Sequence, residues 1–308
     1  MASLNLYHET ATDDEIASYC LEPNRVFLSG AVYDNHVVKL SEKAVVKFGI
    51  GVKEEEANSQ RKAYELIDKN IVCIPSVYRF FTKGQHGYIV MEYMKGRVLE
   101  PVEDSLLMNR ITYILAYLAT IRSSIPGALG GGVSTGILWS EHSEEPFLHT
   151  IQEIESWFNR RLSKQDPKLI FSGSELVLCH LDIAPRNFLL LQDGSICLLD
   201  WASAGFYPRV FEECVLRITR ALKGSFLSDG LRLERLTDEE ELQIKSMIQA
   251  YYNSVRFYFE GERELEQELE QEKDESSDED EDEGRQEVNG VTPAMTGERV
   301  GGSSRRAN

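Results

Sequence analysis

Short apolar runs, alternating or continuous, fill the first hundred positions, and longer runs with helical spacing fill most of the remainder. A capping box, Thr12-Asp13-Asp14-Glu15, predicts a short helix through Cys20. Residues 26–28, 36–40 and 44–49 then read as β-rich segments, with a turn at 41–43. Ala57, Ala63, Tyr64, Leu66 and Ile67 lie at helical spacing and predict a charged helix over 54–69. Two further strands are expected, one beginning at 74–78 and one over 87–94, joined by a turn at 83–86. Beyond Gly96 the pattern becomes helical. Leu107, Ile111, Ile114, Leu115, Leu118 and Ile121 predict a helix over 104–123, and others are expected over 147–162, 211–222 and 238–259. Residues 177–212 interrupt the helices. There two apolar runs flank Gln192-Asp193-Gly194 and read as strand, tight turn, strand. A β-rich first third before a mainly helical remainder predicts an α+β fold.

Composition changes this picture at one end only. The chain has 308 residues, 42% of them hydrophobic, enough for one large domain or two lobes. Its net charge of −18 is concentrated: residues 261–284 hold 14 Asp and Glu against Arg263 and Lys273. Such acid density defeats a packed core, so a disordered acidic tail is expected over 260–308, with a basic partner as its candidate ligand. Ser276 and Ser277, beside the acidic run, are candidate phosphorylation sites. The rest of the chain is only mildly acidic, which argues against a nucleic-acid surface. The five cysteines are scattered and form no CxxC pair, as expected of core residues in a reduced compartment. The first residues lack a signal-peptide pattern, and the longest apolar stretch, 111–121, is too short to span a bilayer. A cytoplasmic protein with no membrane partner is expected.

Candidate chemistry gathers around the central hairpin. His180-x-Asp182 stands at its entrance with Asn187 five residues after the acid, and Asp200-Trp201 stands at its exit. Asn and Asp oxygens suit a hard cation such as magnesium, and a separate carboxylate can take the proton of an attacking hydroxyl. Each residue alone also fits an ordinary turn or cap. Lys47 lies within an apolar strand, where burial requires a partner; a water-facing edge strand is the alternative. Glu56 can turn toward it, in competition with Glu54, Glu55 and Glu65. Gly130-Gly131-Gly132 follows a helix rather than a strand and lacks a GK[ST] ending, so it reads as a loop and not a phosphate cradle.

With these motifs the chain resembles the aminoglycoside phosphotransferase and choline kinase-like branch of the protein-kinase-like fold, and is especially similar to its fungal members. The segments that carry the resemblance are 37–49, 74–78, 87–96, 146–162 and 179–212. It implies a bilobal architecture: an antiparallel β-rich N-terminal lobe over 1–94 and a mainly helical C-terminal lobe over 95–259, followed by the tail. It also implies an ATP- or GTP-dependent, magnesium-assisted kinase acting on a hydroxyl of a small molecule. By the resemblance, Lys47 binds the nucleotide phosphates and is held by Glu56. Glu92, Tyr93 and Met94 form the hinge that meets the base. Asp182 acts as base, Asn187 and Asp200 ligate magnesium, and His180 supports them. The chain departs from the kinase pattern in lacking GxGxxG, in carrying Ala184 two residues after Asp182, and in leaving no room for an activation segment after Asp200. These departures favour a small-molecule acceptor over a protein one. A catalytically silent nucleotide-binding scaffold is the alternative from another class.

Overall fold

The first helix, α1 (Asp13–Leu21), begins where its cap predicts. Glu15 N donates to Thr12 Oγ1 at 3.2 Å, and Thr12 N donates to the Glu15 carboxylate at 2.8 Å. The structure, a computed structural model, describes residues 6–22, 25, 27–28, 35–99, 105–139, 146–223, 231 and 234–256. All lie within 1–257, which form one of two compact units. The acidic tail expected from residue 260, with Ser276 and Ser277, lies outside the described residues.

Strands β1 (His36–Lys39), β2 (Ala44–Gly49), β3 (Val77–Lys83) and β4 (His86–Glu92) form an antiparallel sheet of order β1-β2-β4-β3. Strand periodicity assigns its two faces. Val38, Val46, Phe48, Tyr88 and Val90 pack against Ile16, Ala17 and Cys20 of α1. Ile89 packs instead with Val52 and with Ala57 of α2 (Glu54–Leu66). Fully burying one such aliphatic side chain stabilises by about 1.5–3 kcal/mol. Lys47 pairs with Ile89 across the sheet and with Val37 on β1, so β2 is an interior strand. The edge-strand alternative for Lys47 is thereby excluded. Of the strand expected at 26–28, the described part is the single bridge of Phe27 to Val38.

The central hairpin forms as expected: β9 (Phe188–Leu191) pairs with β10 (Ile196–Leu198) around a turn with Gly194 at φ +85°. Its third partner, β5 (Gly96–Val98), was not expected. A last sheet has the order β6-β8-β11-β7, from β6 (Arg122–Ser123), β7 (Gly127–Ala128), β8 (Leu176–Cys179) and β11 (Gly205–Pro208). Helix α3 (Ser105–Leu118) ends earlier than its apolar spacing predicts, because Arg122 and Ser123 are drawn into pairing with Val177 and Leu176. Its apolar face, Ile111, Ile114, Leu115 and Leu118, packs on the hairpin through Phe188, Ile196 and Leu198.

Helices α4 (Ile151–Arg160), α5 (Val210–Lys223) and α6 (Asp238–Arg256) complete the fold. They share a core that includes Trp139, Trp157, Phe158, Phe171, Tyr207 and Phe211. Helix α4 is shorter than the expected 147–162 because its capping box sits at Thr150 and Glu153. All five cysteines are free. Among the described residues, no helix is long and apolar enough to cross a membrane.

Candidate active site

Three elements converge on Lys47. Strand β2 points its side chain to the α2 face, and Glu56 in the first turn of α2 accepts from Lys47 Nζ at 2.5 Å. Asp200, which follows β10, contacts the same nitrogen through Oδ1 at 3.2 Å. Glu54, Glu55 and Glu65 are exposed or half-buried, whereas Glu56 is buried, so the competition among these acids is decided. Burial alone would lower the Lys47 pKa, but Asp200 and Glu56 outweigh it and hold the ammonium charged. Lys47 in turn holds the Asp200 carboxyl below the usual range, against burial. Burial pushes Glu56 upward against the pull of Lys47. The 2.5 Å contact to a cation that is itself held charged decides for an ionised pair.

The loop after β8 supplies the second cluster. Asn187 closes a 3-10 turn, Pro185–Asn187, and its Nδ2 donates to Asp182 O and Oδ2, both at 2.8 Å. The amide is oriented by those two acceptors, which leaves Asn187 Oδ1 turned away from Asp182. Leu199 N donates to Asn187 O at 2.8 Å and so ties this turn to the residue before Asp200. His180 makes a second tie. Its Nδ1 accepts from Asp182 N at 3.2 Å, so the proton is assigned to Nε2, which donates to Leu199 O at 3.0 Å. Burial lowers the His180 pKa and keeps this neutral form. The ring also stands edge-on to Trp201 at 4.7 Å. His180 therefore joins the Asp182 loop to Leu199, the residue before Asp200.

Backbone strain marks the same two places. Leu181 (φ +61°) and Asp200 (φ +63°) are the only non-glycine residues with positive φ among the described residues. Each such conformation costs about 1–3 kcal/mol, and the surrounding contacts must impose it. One of those contacts escapes sequence reasoning altogether. Glu212 of α5 is buried, and its carboxylate accepts from His180 N at 2.6 Å and from Leu181 N at 3.2 and 3.3 Å. Burial pushes its pKa up to about 7, with the two backbone donors opposing. The only sequence signal for Glu212 was an acid on the inward face of an amphipathic helix.

Arg186 also went unnoticed. Its Nη2 donates to both carboxylate oxygens of Asp182 at 2.6 Å. Glu92, Tyr93 and Met94, expected as the hinge, stand at the end of β4. Glu92 N donates to Ser76 O and Tyr93 N to Lys43 O, both at 2.9 Å, and Met94 N donates to no described residue. The glycine run at 130–132 is a loop, and it supports α2: Gly130 N donates to Ser59 Oγ at 2.9 Å.

The donors present fit a hard cation. No group of three or more His, Cys, Asp or Glu gathers among the described residues, as a soft-metal or all-protein site would require. Asn187 Oδ1 and the Asp200 carboxylate are oxygen donors on segments joined by the Leu199–Asn187 hydrogen bond. Magnesium typically takes one or two such ligands and completes its shell with water and phosphate oxygens.

A model of a phosphotransferase enzyme family matches residues 26–242. Among solved structures, the chain is similar to aminoglycoside phosphotransferase APH(4)-Ia, at 14% identity and a TM-score of 0.51, covering 79% of this chain and 90% of that one. A thermostable mutant of the same protein in its apo form gives 13% identity and a TM-score of 0.50, over 78% and 88% of the two chains. A choline kinase from Streptococcus pneumoniae gives 18% identity and a TM-score of 0.43, over 80% and 91%. At these identities the likeness to APH(4)-Ia is one of fold. Comparison with curated protein sequences gives no match.

Proposed function

The chain belongs to the phosphotransferase enzyme family, and from that membership we propose that it moves the γ-phosphate of ATP (or GTP) to a hydroxyl of a small molecule. The observation that carries this reading is the meeting of Lys47 with Asp200, 153 residues apart, beside a loop that holds Asp182 and Asn187 in one hydrogen-bonded group. A lobe over 1–94 contributes Lys47, Glu56 and the hinge, and a lobe over 95–259 contributes the rest.

In this scheme Lys47, held charged by Glu56, binds the nucleotide phosphates. Met94 N–H, unspent among the described residues, is the hinge donor for the base, and Glu92 and Tyr93 shape that segment. Asn187 and Asp200 hold magnesium, which when bound neutralises phosphate charge. Asp182 orients the acceptor hydroxyl and takes its proton. His180 and Glu212 hold the Asp182 loop in its strained shape. Positioning and charge neutralisation are what phosphoryl transfer demands of a protein. Only four residues, 201–204, separate Asp200 from β11, which supports a small-molecule acceptor over a protein one.

One observation favours a silent nucleotide-binding scaffold instead: Arg186 covers both oxygens of Asp182. The two readings separate on incubating the wild type and Asp182→Asn with Mg-ATP and a metabolite extract, and searching by mass spectrometry for new phosphorylated species. Transfer by the wild type and a loss of at least about a thousandfold in the variant, with nucleotide binding no weaker than in the wild type, is the expected result. Equal turnover by the variant removes Asp182 as base. Nucleotide binding with no transfer by either protein selects the scaffold.

A further inference from the structure

Arg186 has no role in the scheme so far, yet it makes the shortest contacts to the expected base. Its place follows from local sequence. The 3-10 turn Pro185–Asn187 brings position 186 back over position 182, and Nη2 meets Asp182 Oδ1 and Oδ2 at 2.6 Å each. Asn187 Nδ2 also holds Oδ2, so the carboxylate stands with both oxygens engaged. A hydroxyl that approaches Asp182 therefore has to compete with a guanidinium.

A guanidinium has five N–H donors. Nη2 spends its two on Asp182, and Nε and Nη1 have no partner among the described residues. The Arg186 side chain is 54% exposed, so packing does not hold it where it is. Lys47 differs: it is 14% exposed and clamped between two carboxylates. The Arg186 charge acts on Asp200 as well as on Asp182, which it contacts directly. A planar fork with three unspent donors matches phosphate oxygens, and a terminal phosphate carries more charge than one carboxylate.

On the reading of this site as a nucleotide phosphotransferase, we propose that Arg186 is a phosphate-binding cation that leaves Asp182 for the terminal phosphate of a bound nucleoside triphosphate, so that the base is uncovered only when the phosphoryl donor is in place. No covalent bond changes in this step; one ion pair is exchanged for another. The arrangement keeps Asp182 covered in the free protein and supplies a cation where charge gathers during transfer.

Calorimetric titration with Mg-ATP, Mg-ADP, Mg-GTP and Mg-GDP tests the exchange on the full chain, with no need of the acceptor. Arg186→Gln is expected to weaken triphosphate binding by at least about tenfold while diphosphate binding stays within about twofold. Asp182→Asn removes the competitor, so it should tighten triphosphate binding more with Arg186 present than in the double variant with Arg186→Gln. A residue that only supports the loop would affect triphosphate and diphosphate alike, and that outcome overturns the proposal. So does wild-type affinity for both in Arg186→Gln, which would leave the phosphotransferase reading standing. Failure of the wild type to bind any of the four nucleotides removes the phosphotransferase reading itself, and this inference with it.

Discussion

Lys47 stands between Glu56 at 2.5 Å and Asp200 at 3.2 Å, and the three charges depend on one another. Glu56 is nearly enclosed, so removing its cation leaves a buried carboxylate without compensation. Lys47→Met is expected to destabilise by about 3 kcal/mol, measured by urea denaturation at pH 7. Adding Glu56→Gln should recover part of that loss, because the stranded charge is then gone. Asp200 is about a third exposed and contributes less to the penalty. Its lowered pKa adds a second signature: stability from the Lys47–Asp200 pair is present above the ordinary aspartate range and fades as pH falls through the lowered value. A variant lacking Lys47 should lose that part of the acid sensitivity. Unchanged acid unfolding in Lys47→Met would show the pair to be energetically idle.

Between elements, the placement of Glu56 depends on how α2 is seated. Helix α2 has no side-chain N-cap, so its first turn is supported from outside. Part of that support is Gly130. A Cβ there would stand 2.2 Å from Glu55 O and 2.7 Å from Ser59 N, both backbone atoms of α2. Gly130→Ala must therefore push the start of the helix away and draw Glu56 from Lys47. A loss of about 1–3 kcal/mol is expected, together with weaker nucleotide binding, read by thermal denaturation and calorimetry. Gly131 is the control: it has φ +80° with open space around its Cβ position. Gly131→Ala should cost about 1 kcal/mol and leave nucleotide affinity unchanged. If the two variants bind nucleotide equally well, the glycine run has no part in seating Glu56. The run is thus a close approach between loop and helix, as its missing GK[ST] ending had predicted, although it follows β7 and not the helix the sequence suggested.

For the whole molecule, Glu212 couples the helical core to the site. It packs from α5, beside Phe211 and Cys214 of the aromatic core, and holds the two backbone amides before Asp182. Its pKa is raised to about 7, so the folded chain retains a proton that the unfolded chain releases near 4.5. Folding stability from this group is accordingly full below pH 4.5, falls as pH rises toward 7, and is level above. The fall is on the order of 3 kcal/mol. Urea denaturation from pH 4 to 8 should show that slope in the wild type and a flatter profile in Glu212→Gln. An identical slope in both would assign the pH dependence to other groups.

Much of this architecture was legible in sequence, and the reasons are local. β-rich runs predicted β1, β2 and β4, Asp193-Gly194 predicted the hairpin turn, and the Thr12-x-x-Glu15 box predicted the start of α1, whereas the same pattern at Thr150 and Glu153 went unread. Asp182 and Asn187 were legible as a pair at the hairpin's entrance, and the 3-10 turn at Pro185–Asn187 lets the Asn187 amide reach back to Asp182. Strands β5, β7 and β11 were not legible, because two to four residues carry no period and exist only through their partners. Nor was the positive φ of Leu181, a residue type with no preference for it: Glu212 holds that loop from 31 residues away. Residue type and short-range spacing were enough to point to the phosphotransferase family, because both are written along the chain itself. Packing had to choose which acid meets Lys47, which carboxylate holds the loop before Asp182, and which cation covers Asp182. Those are contacts between elements, and their free energy exists only once the elements have come together.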